Sequence, residues 1–394
     1  MGRSHLEKRV RIALVAIVAV LLLVSIVRFL PSSGPASTGG KSFVFSIAGD
    51  FGSWNGFDET LGQLRQSNSD FALALGDLSY GGESEASWCD EFRESSVNPI
   101  VVAGNHDTGA APPGEGNINN FTAACPFRLN ATAVGEYGKQ YYFDYPGTNP
   151  FARFVLISPD LFFAVDSGEH YVYDVGTPRY DWTTAVIDGA RTAGIPWVFV
   201  GMHKNCIAGG EHECETGTDI LNLLLDKKVD LILNAHTHNY ERSKQLALNP
   251  TTCLGIELHV FNENCIVDAG SNGRYTRGDG PVVVIAGTGG RDIDLFNVSD
   301  SYARYFAAWA GNETPGFGKG VATFTVDANH VSMVTHFNGT YSDAFTISGS
   351  AAGLSSNFFQ VLPLAAPGLG VIGLGVGGVL AYRRRGEAEG PSEW

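Results

Sequence analysis

Five apolar, β-rich runs of this chain each lead straight into a short segment carrying a carboxylate, an amide or an imidazole. Ser42 to Ala48 runs into Gly49-Asp50-Phe51-Gly52, and Phe71 to Leu75 into Gly76-Asp77-Leu78-Ser79-Tyr80. Ile100 to Ala103 runs into Gly104-Asn105-His106-Asp107, Trp197 to Gly201 into Met202-His203, and Val229 to Leu233 into Ala235-His236-Thr237-His238. Helical patterns separate them, over Asp58 to Gln66, Tyr180 to Ala193 and Thr218 to Leu225. Strands alternating with helices predict parallel pairing with the helices outside. Phe151 to Ile157 and Leu161 to Val165 add strands to the second series. Val282 to Ala286, Gly320 to Val326 and His330 to Phe337 follow without intervening helices. The expected architecture is therefore α/β, two packed mixed sheets flanked by helices.

Carboxyl ends of parallel strands converge on one rim, the place where open α/β sheets bind ligands. A rim of this kind gathers side chains from residue 50 to residue 238 into one place. Each segment alone says little: a Gly-Asp pair after a strand is more often a turn, and a lone strand-end histidine is more often a core or surface residue. His236 and His238 are more telling, because alternate residues of an extended chain point the same way. Together the donors are oxygen and imidazole with one phenol, a set suited to hard or borderline metals and not to Cu(I). Glycines beside the donors let the backbone turn sharply and approach an ion closely.

With all five segments in order, the chain resembles the calcineurin-like metallophosphoesterase superfamily, and within it the purple acid phosphatases, over roughly Ser42 to Ile347. The segments match the pattern D-x-G, GDxxY, GNH[DE], VxxH and GHxH. Tyr80 is the discriminating residue, since the tyrosine of GDxxY binds ferric iron in the purple branch. Asn239-Tyr240-Glu241-Arg242 and Gly287-Thr288-Gly289-Gly290 also resemble the family's continuation.

The resemblance implies a four-layer metallophosphoesterase sandwich and a two-metal site. Asp50, Tyr80 and His238 would bind Fe3+, and Asn105, His203 and His236 a divalent ion, with Asp77 bridging. The same N and O donors serve Fe, Zn or Mn as the divalent ion. His106 would be the acid or substrate binder outside the metal shell, oriented by Asp107. Two cations about 4 Å apart polarise phosphoryl oxygens and convert a bound water to hydroxide near neutral pH, while a positioned histidine protonates the leaving group. The implied activity is an acid phosphatase acting on phosphomonoesters. The alternatives are a phosphodiesterase or nucleotidase using the same site and, more remotely, a non-catalytic surface-binding ectodomain.

Two departures from the family pattern stand out. Ala235 replaces the usual glycine of GHxH, so the backbone there has to accept a Cβ. After His203 comes Lys204-Asn205-Cys206, which leaves the substrate-binding loop unlike that of the plant enzymes. His212 in that loop reads more simply as an exposed loop histidine than as a second imidazole for phosphate. His170, His259, His330 and His336 match no motif and read as structural or surface residues.

The two ends of the chain differ from its middle. Ile12 to Val27 is apolar apart from Ser25 and follows Arg3, Lys8, Arg9 and Arg11, the pattern of a signal-anchor or signal peptide over residues 1–30. Residues 31–40 are small and uncharged, a flexible linker, and residues 41–350 form the expected catalytic domain. Val361 to Tyr382 is apolar and Gly-rich, and Arg383, Arg384 and Arg385 open a basic tail over residues 383–394. Positive flanks stay in the cytoplasm, so both ends are expected there and the domain outside, held at the membrane. A sorting tail removed during surface attachment is the alternative for the C-terminal segment.

Residues 31–360 hold 37 Asp+Glu against 18 Lys+Arg, within a formal net charge of −15 for the chain. Such a surface repels nucleic acid, which leaves small phosphoesters as the expected partners. Six cysteines in an exported body predict disulfides. Of fifteen possible pairings, proximity favours Cys89 with Cys125, Cys206 with Cys214, and Cys253 with Cys265. Acceptor sequences for N-glycosylation begin at Asn120, Asn130, Asn297, Asn312 and Asn338, all in stretches that read as loops.

Overall fold

The computed structural model describes residues 41–52, 55–110, 115–164 and 168–349. The expected signal-anchor, linker, C-terminal apolar segment and basic tail lie outside the described residues. Among the described residues, no helix is long and apolar enough to cross a membrane.

The fold opens with β1 (Phe43–Ala48), α1 (Asn55–Ser67), β2 (Phe71–Leu75), α2 (Glu85–Glu94) and β3 (Asn98–Val102). Next come α3 (Ile118–Ala124), β4 (Val134–Glu136), β5 (Gln140–Tyr145) and β6 (Ala152–Leu156), then a small ribbon of β7 (Leu161–Phe163) and β8 (Glu169–Tyr171). A second alternating series is α4 (Pro178–Thr192), β9 (Trp197–Gly201), α5 (Thr218–Asp226) and β10 (Leu231–Asn234). The rest is strand-rich: β11 (Tyr240–Leu246), β12 (Ile266–Asp268), β13 (Arg274–Thr276), β14 (Val282–Ala286), β15 (Phe306–Ala310), β16 (Gly320–Val326), β17 (His330–Phe337) and β18 (Ala344–Ser348).

Local sequence explains the helices. In α1 Phe57, Leu61 and Leu64 fall at helical spacing and are buried, while Asp58 in the first turn and Arg65 in the last complement the helix dipole. In α2 the Ser84 hydroxyl caps the first turn by accepting from Ser87 N–H, and Trp88, Cys89 and Phe92 are buried. Thr177 caps α4, with Pro178 at its first position.

Two mixed sheets pack face to face. One has the order β13-β18-β17-β16-β1-β2-β3, and the other β12-β11-β14-β10-β9-β6-β5-β4 with β15 beside β11. In the first, β1, β2 and β3 run parallel; in the second, β6, β9, β10 and β14 do. Aromatic rings fill the space between the sheets: Phe45 stacks on Phe324 at 4.8 Å and meets Phe154 edge-on at 5.0 Å. Edge-to-face and offset contacts are the favoured geometries for such pairs. A second apolar cluster, including Phe57, Trp88, Ile187 and Leu224, covers the outer faces under the helices.

The parallel register ends both series on the same rim. Ala48 stands beside Ala74 and Leu75 beside Val102, while Gly201 stands beside Leu233. The three disulfides are Cys89–Cys125, Cys206–Cys214 and Cys253–Cys265, the pairings that sequence proximity favours. One expectation needs correction: Asn120 lies within α3 and not in a loop, though its side chain is exposed.

Candidate metal centre

The loops leaving β1 and β2 are zipped together by Asp50 N–H on Gly76 O at 3.0 Å and Phe51 N–H on Asp77 O at 3.0 Å. Four of the seven expected donors sit on left-handed backbone: Asp50 at φ 59°, Asp77 at 52°, Tyr80 at 49° and His236 at 70°. Such conformations cost about 1–3 kcal/mol each for non-glycine residues and cluster where a side chain must be aimed. Gly104 shows why glycine stands before Asn105: a Cβ there would lie 2.1 Å from Asp77 Oδ1. Ala235 is accommodated because its methyl faces Gly49, where a second Cβ would come within 2.4 Å.

All seven expected donors meet at this rim in two groups. In the first, Tyr80 Oη donates to Asp50 Oδ1 at 3.2 Å and lies 3.3 Å from His238 Nε2, which is 3.5 Å from Asp50 Oδ1. In the second, His203 Nε2 lies 3.1 Å from Asn105 Oδ1, 3.2 Å from Asp77 Oδ1 and 3.2 Å from His236 Nδ1. The groups adjoin, since His203 Nε2 is also 3.9 Å from Asp50 Oδ1. Asp50, Asp77, His203 and His236 are all buried.

This arrangement fits cations. His203 Nδ1 is 2.8 Å from the Leu75 carbonyl, which only a donating N–H can satisfy. Nε2 of the neutral ring is then a lone pair facing two oxygens that also accept. Something positive has to sit there, either a proton or a metal. Burial alone would lower the His203 pKa, and the carboxylates of Asp77 and Asp50 instead push it up to about 9. Burial raises the Tyr80 phenol far above its usual value, and Asp50 and Asp77 raise it further. A cation held by Asp50 and His238 would reverse that effect, as metal ions do for the groups they bind.

A family model described as Calcineurin-like phosphoesterase matches residues 43–240. The chain belongs to this family. Among curated relatives it is 27% identical over 213 residues to purple acid phosphatase 21 of Arabidopsis thaliana, covering 51% of this chain and 45% of that protein. It is 25% identical over 276 residues to the Fe(3+)-Zn(2+) purple acid phosphatase 12 of the same plant, covering 64% and 52%. The chain thus spans about half the length of the curated relatives it matches. Among solved structures, the purple acid phosphatase PPD1 from yellow lupin shares the fold with a TM-score of 0.58 at 18% identity, over 85% of this chain and 58% of that one. The resemblance to the purple acid phosphatase branch of the phosphoesterases therefore stands on both sequence and fold.

Around this candidate centre the structure corrects two expectations. Asp107 does not orient His106. Its carboxylate accepts from Gly104 N–H at 2.8 Å and Leu78 N–H at 3.0 Å, which ties the β2 and β3 loops together. Burial and the Asp77 charge push its pKa up to about 7. The partner of His106 is Glu115, with Oε2 2.6 Å from Nδ1, while His106 Nε2 lies 3.8 Å from Asp77 Oδ2.

The second correction concerns His212. It stacks on His236 with ring centres 3.8 Å apart and is not a free loop histidine. The Cys206–Cys214 disulfide closes its loop, and buried Glu241 in β11 holds that loop by accepting from Gly209 N–H with both oxygens, at 3.1 and 2.9 Å.

Sequence reasoning missed the carboxylates that steer the imidazoles. Glu215 lies 3.4 Å from His236 Nε2 and 2.6 Å from Lys204 Nζ, and its hydrogen bond to His236 holds its pKa down at about 2. Asp294 accepts from the backbone N–H of His238 at 3.0 Å and lies 3.7 Å from its ring Nδ1. Neither residue lies in a recognisable motif, so no linear signal marks them. His170 is exposed, as expected, but pairs with Asp160, which also holds Lys204. The glycine-rich loop after β14 braces the first donor, with Gly289 N–H on Gly49 O at 2.8 Å and Arg291 N–H on Asp50 O at 2.9 Å.

Proposed function

We propose that this chain is a dinuclear-metal acid phosphatase that hydrolyses small phosphomonoesters outside the cytoplasm. The observation that carries this reading is the meeting of Asp50, Asp77, Tyr80, Asn105, His203, His236 and His238 on one rim, with His106 beside them. Asp50, Tyr80 and His238 would hold Fe3+, and Asn105, His203 and His236 would hold a divalent Fe, Zn or Mn ion, with Asp77 shared. When bound, such ions supply the Lewis acidity and water activation of phosphoester hydrolysis.

The chain's own residues supply the rest. Glu115 fixes the His106 ring through Nδ1 and turns Nε2 toward Asp77, on the donor side of the ring. That nitrogen delivers a proton to the departing alkoxide oxygen. His212, held over His236, offers an N–H to a phosphate oxygen at the edge of the centre. The acidic body disfavours nucleic acid and leaves small esters as substrates.

A membrane-held domain agrees with how the chain enters and leaves. Phe43 pairs with Val326 and Ser348 pairs with His330, so both ends of the domain flank the β16–β17 turn. That edge lies at the start of β1, away from the rim that follows Ala48.

The test is metal analysis of the purified full chain together with phenol release from an aryl monophosphate and a bis-aryl phosphate. Two ions per chain and faster cleavage of the monoester are expected, with activity lost to a chelator and restored by metal. Faster cleavage of the diester would make the site a phosphodiesterase. Protease added to intact cells should digest the domain and spare tags at both ends, and a protected domain would refute the location.

A further inference from the structure

Arg291 follows the Gly287–Gly290 loop into the rim, and its backbone is anchored on the Asp50 carbonyl at 2.9 Å. The aliphatic stem lies where Gly52 leaves room, since a Cβ on Gly52 would come 3.2 Å from Arg291 Cδ. The guanidinium then sits over the Tyr80 ring, with Cζ 4.4 Å from its centre. The phenol oxygen of that ring touches Asp50 and His238. Arg291 is therefore one aromatic ring away from the donors.

Beyond the Tyr80 ring, the described residues set no carboxylate against its charge. Arg93, Arg153, Arg179, Arg191 and Arg242 each pair with a carboxylate. Among the described residues, Arg291 has no carboxylate partner, and its buried Nε has no hydrogen-bond partner. This happens in a body with about twice as many acidic as basic side chains. A guanidinium offers a rigid fork of donors that matches phosphate oxygens two at a time. Set back from the donors by the width of a phenol, it would meet a group attached to a phosphoryl held at those donors.

We propose that Arg291 is a specificity residue that binds a second phosphoryl group adjoining the scissile one, so that the centre favours phosphoanhydrides over simple monoesters. The proposal rests on the hydrolase reading above, and a binding measurement separates the two. Calorimetry on the metal-loaded full chain would compare methylenediphosphonate with methylphosphonate, neither of which is hydrolysed at phosphorus. Arg291→Gln is expected to weaken the diphosphonate at least tenfold more than the monophosphonate. Arg291→Lys, which keeps charge and stem but loses the fork, should fall between Arg291→Gln and the native chain and guards against a folding defect.

In turnover, kcat/KM for pyrophosphate should fall at least tenfold more than for an aryl monophosphate. A cation that only steadies the Tyr80 ring would shift the visible band and weaken both phosphonates equally, and that result overturns the proposal. A native chain that cleaves no phosphoester would refute the hydrolase reading, while the calorimetric difference would still decide the role of Arg291.

Discussion

The two halves of the centre are built differently. In the Asn105–His203–His236 half both histidines are buried, and each imidazole has its outer nitrogen occupied, His203 by the Leu75 carbonyl and His236 by Glu215. The Asp50–Tyr80–His238 half lies nearer solvent, with the His238 side chain 18% exposed against 1% for His203. It rests on left-handed turns at Asp50 and Tyr80 and carries the phenol. The buried half fixes geometry through desolvated hydrogen bonds. The open half holds the group most in need of a cation and faces Arg291.

In the proposed centre Asp77 is shared between the halves, so removing its charge should have the largest effect. Asp77→Asn is expected to drop metal content below two and turnover by on the order of 10³-fold, the scale set by losing several kcal/mol of Lewis-acid stabilisation. Two ions and near-native turnover in that variant would show that the halves work independently.

The next effect tests the group between the centre and the leaving group. His106→Ala should lower turnover by about 10²-fold, the lower end of the range for general acid catalysis, with two ions retained. Glu115→Gln should show a smaller loss in kcat with little change in KM. Asp107→Asn should instead lower thermal stability, because its carboxylate bonds only to backbone in this site. A Glu115 variant with native kcat would return the positioning role to another residue.

Tyr80→Phe sharpens the comparison spectroscopically. The native chain with ferric iron in the open half should be coloured, and this variant should lose the visible band while keeping the divalent ion of the buried half. A colourless native chain holding two zinc ions would take the open half out of the purple class.

The smallest effect concerns the loop over the buried half. Burial pushes the Glu241 pKa up to about 8 from an ordinary 4.5. Between those values the folded chain keeps a proton that the unfolded chain has released, so stability falls as pH rises through this window and levels off above it. Glu241→Gln removes that slope. Its melting temperature relative to the native chain should therefore rise from pH 5 to pH 8, and parallel curves would refute the assignment.

Much of the fold was legible because strands and helices announce themselves by local periodicity. β14, β16 and β17 coincide with their expected runs, and α4 and α5 fall within a few residues of their patterns. Short or polar strands such as β4, β12 and β13 were not, since three residues carry no period. The seven residues that meet at the rim were legible as a set because each lies at or just after a strand end and the set occurs in order. Their partners were not: Glu115, Glu215, Asp294 and Arg291 reach the rim from loops whose sequences show no pattern. By itself the sequence determined which atoms could bind a metal, since donor chemistry belongs to the side chain. Only the tertiary structure decided which nitrogen of each imidazole faces the centre, because that depends on the oxygen or carboxylate packed against its other side, often from distant parts of the chain.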